Sequence, residues 1–360
     1  MKIRTRHTQP ALNLHVLCNK NVPLVSHSNL NSIFILNPKC RGELRIFVNY
    51  LKLLFSLTIG VSFIFILFPF STIDVFGQQN IPFNVAAVGD IDCSDNGKQT
   101  ISSIANIQPN LVIFLGDLSY DTSLDCFFDQ TQVLENKETS QVLLAIGNHD
   151  IDSGDGNEET KKQLMLHYSI PKEGYYSRTF DHNGSKILVV AMNFTGLEEK
   201  NQNNNSEKNT LENEQFNFVK SELEDSNAKY KIVVSHAPFV SAECNSILKF
   251  FRLLSCHSPL EEWNNSLFVR YHDLFKDTEV DMVISAHNHN YQREEIDDIN
   301  YVISGLGGRS QYKIMEENDT HFSDIFGYLQ LQFYPEIIEG KFIPNDDGYP
   351  ERDRFNIKVS

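Results

Sequence analysis

The chain has 360 residues, with 31 lysines and arginines against 47 aspartates and glutamates, a net charge of −16 and 41% hydrophobic content. That balance excludes a disordered polar chain and a multi-span membrane protein. The charge is unevenly placed: residues 1–52 hold eight bases and one acid, Glu43, leaving 23 bases against 46 acids beyond them, a net of −23. A globular part this acidic is a poor partner for nucleic acid or an anionic membrane surface. Its size suits one large domain or two small ones.

Between Leu53 and Ile73, 21 consecutive positions carry no charge. About 20 such apolar residues cross the hydrocarbon core of a bilayer as a helix. Bases precede the run and acids come after it. The positive-inside rule therefore predicts a disordered cytoplasmic segment over 1–52, a transmembrane anchor over 53–73, a linker over 74–81, and the acidic part outside the cytoplasm. Val75-Phe76-Gly77 keeps a second reading open, a cleaved signal segment and a secreted product. The acidic domain is expected to run over 82–345, with 346–360 as a tail. Within it an even set of cysteines predicts Cys93–Cys126 and Cys244–Cys256 pairing, against four buried thiols. Sequons at Asn183, Asn193, Asn204, Asn264 and Asn318 fit an extracytoplasmic surface.

From residue 83 onward, short apolar runs alternate with helical periodicity. Phe83–Val88, Leu111–Leu115, Val142–Ile146, Lys186–Met192, Lys229–Val234 and Met282–Ile284 read as strands buried on both faces. Gln99–Ile107, Leu211–Glu224 and Leu267–Lys276 read as helices, and the order β-α-β-α argues an α/β fold. Asn300–Ser304 and Ile325–Phe333 suggest further, partly antiparallel strands. Glu198–Asn209, with Asn-Gln-Asn-Asn-Asn near its centre, reads as a solvated loop.

Chemistry concentrates just after the strands. Phe83–Val88 is followed by Gly89-Asp90; Leu111–Leu115 by Gly116-Asp117-Leu118-Ser119-Tyr120; Val142–Ile146 by Gly147-Asn148-His149-Asp150. His236 closes a fourth strand, and Ala286-His287-Asn288-His289 comes after a fifth. The carboxyl ends of strands in an open α/β sheet converge on one edge, where ligands bind. Any one of these residues alone reads better as a turn, a cap or a structural histidine. Together they deliver more hard oxygen and imidazole donors than one ion can take. The mixture suits Fe, Mn or Zn, arranged as two ions sharing a carboxylate.

These residues resemble the calcineurin-like metallophosphoesterases and, within them, the purple acid phosphatase branch with its GDxG, GDxxY, GNH[DE], VxxH and GHxH motifs. The resemblance spans residues 83 to about 333. It implies a four-layer α-β-β-α sandwich of two mixed sheets. It also implies one ion, ferric in the family, on Asp90, Asp117, Tyr120 and His289, and a divalent Fe, Zn or Mn ion on Asp117, Asn148, His236 and His287. Asp117 would bridge them, and an Mn or Zn pair is the alternative. His149 would protonate the leaving group, oriented by Asp150, with Asn148, His149 and Arg293 at the substrate. Two cations polarise the phosphoryl oxygens and lower the pKa of bound water, giving hydroxide in line with the ester oxygen.

The chain departs from that pattern at Asp92, where the family has glycine, and at Ala286, where the last motif has glycine. It also lacks a histidine shortly after Pro238; His257 is the nearest. Asp92 reads equally as a loop cap or a metal neighbour, Arg293 as a phosphate contact or a sheet-edge support, and Tyr291 as wall packing. Gly305-Leu306-Gly307-Gly308 reads as a turn near the site. Trp263 and Phe250–Leu254 read as core before substrate lip. The expected activity is phosphate monoester hydrolysis by a membrane-tethered enzyme acting on a small phosphate ester. A phosphodiesterase or nucleotidase is the rival on the same scaffold, and a non-catalytic metal-binding surface protein is the rival from another class.

Overall fold

A computed structural model of the chain describes residues 81–120, 123–135, 140–150, 158–195, 205–241, 265–314, 317–346 and 348–359. The expected membrane run over 53–73, its flanks, the Cys244–Cys256 pair, Asn204, Asn264, His257, Trp263 and Phe250–Leu254 lie outside these residues. Among the described residues no helix is long and apolar enough to cross a membrane.

The first half of the domain comprises β1 (Phe83–Val88), α1 (Asp95–Ile107), β2 (Leu111–Phe114), α2 (Asp125–Glu135), β3 (Gln141–Leu144), α3 (Glu158–His167), β4 (Tyr176–His182) and β5 (Ser185–Ala191). Next come α4 (Asn205–Glu224), β6 (Tyr230–Val234), α5 (Asn265–Asp277), β7 (Met282–Ser285), β8 (Tyr291–Ile296) and β9 (Ile299–Ser304). The chain closes with β10 (His321–Phe322), β11 (Gly327–Tyr334), β12 (Ile337–Pro344) and β13 (Arg352–Lys358). One sheet has six strands in the order β13-β12-β11-β1-β2-β3, the other seven in the order β10-β8-β9-β7-β6-β5-β4. In the first, a parallel block (β1, β2, β3) is extended on one side by antiparallel strands; in the second, a parallel block (β5, β6, β7, β9) has antiparallel strands on both sides.

Burial explains why those blocks are legible in the sequence. Every residue of β2 and β7 is buried, so both faces are largely apolar and the runs are nearly continuous. Along β5, Ile187, Val189 and Ala191 join a core shared with the other sheet, whereas Leu188, Val190 and Met192 pack with Val219 and Leu223 of α4 and Tyr271 and Phe275 of α5. Successive strand side chains point to opposite faces, so one strand serves both layers. The outer antiparallel strands alternate instead, as β12 does throughout.

Three expectations change. The sheet continues past residue 345, because Arg352–Lys358 pairs with β12 as its edge strand. Only Asp353, Phe355 and Ile357 of that strand are buried, so its polar face disguises it as a tail. The Asn-rich stretch is shorter than expected: α4 already begins at Asn205. Val219 and Leu223, four apart, anchor the later part of this helix, and propagation upstream adds a bond for each residue ordered. Helices α2 and α3 add to the three helices expected, and Phe127, Thr131 and Leu134 of α2 bury one face at helical spacing.

Candidate metal centre

The parallel strands of each sheet run the same way, and the two sheets meet where these strands end. Gly89 N donates to Ser304 O at 2.9 Å across the sheets, and Gly307 N donates to Gly89 O at 3.1 Å. The run Gly305 to Gly308 is thus a turn against the site, as expected. A Cβ on Gly147 would lie 2.2 Å from Asp117 Oδ1, and one on Gly116, at φ +87°, would lie 2.9 Å from His236 Nδ1. Those glycines let two ligand-bearing loops close on one point.

Asp90, Asp117, His236, His287 and His289 are all buried, and they sort into two clusters. In the first, the Tyr120 hydroxyl donates to Asp90 Oδ1 at 2.9 Å and stands 2.9 Å from His289 Nε2, which is 3.4 Å from Asp90 Oδ1. In the second, His236 Nε2 lies 3.1 Å from Asn148 Oδ1, 3.0 Å from His287 Nδ1 and 3.3 Å from Asp117 Oδ2. Metal bonds of about 2.1 Å at 90–109° place neighbouring donors about 3.0–3.4 Å apart. Both clusters have that spacing and a transition-metal donor set. Asp117, His236 and His287 form a metal-competent group in their own right.

The imidazoles are aimed by the backbone. His236 Nδ1 lies 2.7 Å from Leu115 O and His289 Nδ1 lies 2.5 Å from Ser310 O. Each ring therefore donates through Nδ1 and turns Nε2 into the cluster. Asp90, Asp117, Tyr120 and His287 all have left-handed backbone, at φ 55°, 55°, 52° and 69°. Such non-glycine conformations cost about 1–3 kcal/mol each and gather at functional sites.

The electrostatics are those of crowded buried carboxylates that a cation would relieve. Burial and the Asp90 and Asp117 carboxylates push the Tyr120 phenol far above its ordinary pKa. Burial opposes charge on Asp117 too, yet His236, His149 and His287 hold its carboxyl below the usual range. His236 loses solvation on burial but gains more from Asp117 and Asp90, and its pKa is pushed up to about 10.

Two expected roles are corrected. Asp150 does not orient the His149 imidazole. Its Oδ2 accepts Gly147 N at 2.8 Å and Asp117 N at 3.0 Å, and its Oδ1 accepts Leu118 N at 3.0 Å, so the carboxylate splints the two ligand loops together. Burial and the Asp117 charge push its pKa up to about 7 against those donors. Arg293 is the sheet-edge support: Nε and Nη2 each donate to an Asp353 carboxylate oxygen at 2.8 Å, and the guanidinium lies 4.5 Å over Phe355. Tyr291 packs in the wall with its hydroxyl on the same Asp353. Asp92 is a loop cap, its Oδ1 accepting Ser94 N at 3.0 Å, with Ser94 as the N-cap of α1.

His149 lies half-buried, with its N–H on Asp117 Oδ1 at 2.8 Å and its ring 4.6 Å from that of Tyr120. Cys93 and Cys126 are joined in a disulfide that ties the loop after β1 to the start of α2. Tyr312, stacked at 3.9 Å on His289, and Arg309, over Tyr120, were missed from the sequence. Both come after β9, a parallel strand ending at the same edge, and that position was the available signal.

A curated relative, purple acid phosphatase 15 of Arabidopsis thaliana, is 25% identical over 289 residues, covering 69% of this chain and 49% of that protein. The chain therefore spans about half the length of that relative. Two solved structures share the fold. One is described as GAP50, the anchor in the inner membrane complex of Plasmodium (TM-score 0.55, 18% identity, 77% of this chain and 90% of that one). The other is the purple acid phosphatase PPD1 from yellow lupin (Lupinus luteus) seeds (TM-score 0.53, 19% identity, 76% and 53%). The model of the calcineurin-like phosphoesterases matches residues 83–291, more than half of the chain, and the protein belongs to that family.

Proposed function

We propose that the protein is a dinuclear-metal phosphoesterase hydrolysing phosphate monoesters, in the manner of purple acid phosphatases. One observation carries this reading: two donor clusters whose carboxylates and imidazoles are buried, each with coordination-shell spacing, stand side by side at the sheet edge. Asp90, Tyr120 and His289 would hold one ion, and Asn148, His236 and His287 the other, with Asp117 shared. When bound, ferric iron with divalent Fe, Zn or Mn, or an Mn or Zn pair, would polarise the phosphoryl oxygens and lower the pKa of water.

The chain's own residues supply the rest. His149, at the half-buried rim, is stationed to protonate the leaving group, and the Asp117 carboxylate fixes its backbone. Asp150 holds the loops that present Asp117 and Asn148 at a constant separation, which is where pre-organisation resides. We read the sheets and their helices as an α-β-β-α sandwich, with the catalytic domain outside the cytoplasm and residues 53–73 as its anchor or cleaved signal. The Cys93–Cys126 disulfide and the exposed sequons at Asn183 and Asn318 support that location.

The Plasmodium structure, described as an anchor, has the same fold, and the intact donor set of this chain favours catalysis over such a role. Metal-loaded protein assayed with p-nitrophenyl phosphate and its bis-ester decides the matter, with metal content and visible spectrum recorded alongside. The monoester should be the better substrate. No monoester hydrolysis by protein carrying two metals per chain overturns the proposal, and a preference for the bis-ester transfers it to the phosphodiesterases.

A further inference from the structure

Asp92, the acid standing where the family pattern has glycine, has a counterpart in the fold. Its Oδ2 lies 4.0 Å from Nη1 of Arg309, in the loop after β9. Arg309 N donates to Asp90 O at 3.0 Å, which fixes this residue's backbone beside a ligand-bearing strand end. The guanidinium carbon then stands 4.4 Å from the centre of the Tyr120 ring, whose hydroxyl belongs to the first donor cluster. The side chain remains 43% exposed. One face of the guanidinium thus rests on a ligand ring, within a ring's length of the cluster, while the group keeps access to solvent.

We infer that Arg309 is a substrate-binding and specificity-determining residue, its guanidinium holding the non-bridging oxygens of a phosphate monoester brought to the two clusters. The inference rests on the phosphoesterase reading above. A guanidinium presents a planar fork of donors that matches phosphate in two-point contact, which an ammonium cannot do. Stacking on Tyr120 orients that plane. Asp92, at the outer limit of an ion pair, aims the side chain without occupying its donors at close range. Asp90 and Asp117 put buried carboxylates in the clusters themselves, so an arriving dianion gains from a fixed positive charge that the chain itself supplies. This also gives a physical role to a position at which the chain departs from its family pattern: the acid at position 92 faces a base. A monoester carries one more charge and one more free oxygen than a diester, so the gain is larger for the monoester.

The test compares metal-loaded full-length protein with R309Q and R309K. The KM for p-nitrophenyl phosphate and the inhibition constant of inorganic phosphate should each rise about 10- to 100-fold in R309Q, the range of a charge-assisted hydrogen bond. The turnover number should change less, metal content should be unchanged, and the monoester to bis-ester ratio should fall. R309K, which keeps the charge and is the fallback if R309Q does not fold, should lie between the two. The inference is overturned if both constants stay within about twofold of wild type at equal metal content, or if their rise tracks a loss of metal. Should the wild type hydrolyse no ester, equilibrium dialysis of inorganic phosphate against the loaded proteins separates the two readings. Phosphate bound by wild type and lost in R309Q supports Arg309 with the phosphatase reading gone. Equal binding, or none to either protein, overturns Arg309 as well.

Discussion

Asp90 and His287 lie at the ends of strands in different sheets, yet the His287 backbone N–H donates to Asp90 Oδ2 at 2.8 Å. Asp90 Oδ1 accepts the Tyr120 hydroxyl at 2.9 Å, so one carboxylate belongs to the first donor cluster and pins the backbone of a ligand in the second. His287 has φ 69°, a conformation that needs such a restraint.

Removal of that carboxylate should therefore disturb both clusters. D90A removes a proposed ligand and leaves the buried His287 N–H without its acceptor, at a cost of about 1–3 kcal/mol. Metal analysis after equal reconstitution should find less than half the wild-type content. Loss of only one of two ions in D90A would show that the cross-sheet bond is not needed by the second cluster.

Asp150 makes a separate prediction. Its oxygens accept three backbone N–H groups, and asparagine can satisfy them only by opposing a donor to a donor. D150N should lower the unfolding free energy of the metal-free protein by about 1–3 kcal/mol in urea and weaken metal retention with it. A fall in turnover without loss of stability or metal would return Asp150 to the role of orienting His149.

Arg293 and Asp353 are a stability pair. The Asp353 side chain is 3% exposed and the Arg293 side chain 17%, so R293M leaves a buried carboxylate with its Tyr291 bond alone. Destabilisation of about 3 kcal/mol is expected, as for other broken buried pairs. The KM for a monoester should not change in chains that remain folded, and a rise of tenfold would place Arg293 at the substrate after all.

Metal loading should release protons. In the metal-free protein the His236 pKa is pushed up to about 10, above the usual 6.5, by the buried Asp117 and Asp90 carboxylates, despite desolvation. The stability this lends the metal-free fold is fully present below about pH 6.5 and lost as pH rises through about 10. A metal needs the neutral ring, so below pH 10 binding displaces that proton, and this group alone weakens affinity about tenfold for each pH unit lowered. Calorimetric titration at pH 7 in buffers of different ionisation enthalpy should report at least about one proton released per loaded chain. H236N should lack that proton.

Much of this centre is legible in the sequence because its chemistry is local. Asp90, Asp117, Asn148, His236 and His287 each come directly after a buried apolar strand, and parallel strands deliver the residues at their carboxyl ends to one edge. Asp150 was found but misassigned: adjacency to His149 suggested a side-chain partner, whereas the turn directs the carboxylate at the backbones of Gly147, Asp117 and Leu118. The β13 strand was missed because a half-solvated edge strand need carry few apolar residues, and Phe355 and Ile357 gave too short a pattern.

By itself the sequence determined the family, the parallel strands that carry the donors, the donor types and the charge asymmetry about residue 52. These depend on residue identity and on periodicity, which are properties of neighbours in the chain. The tertiary structure alone decided which donor faces which, that Asp90 serves both clusters, and that Arg293 belongs to Asp353 while Arg309 rests on Tyr120. Residues 92 and 309, or 90 and 287, come together only when two sheets close on each other. No spacing rule encodes a contact set by the packing of one sheet edge against another.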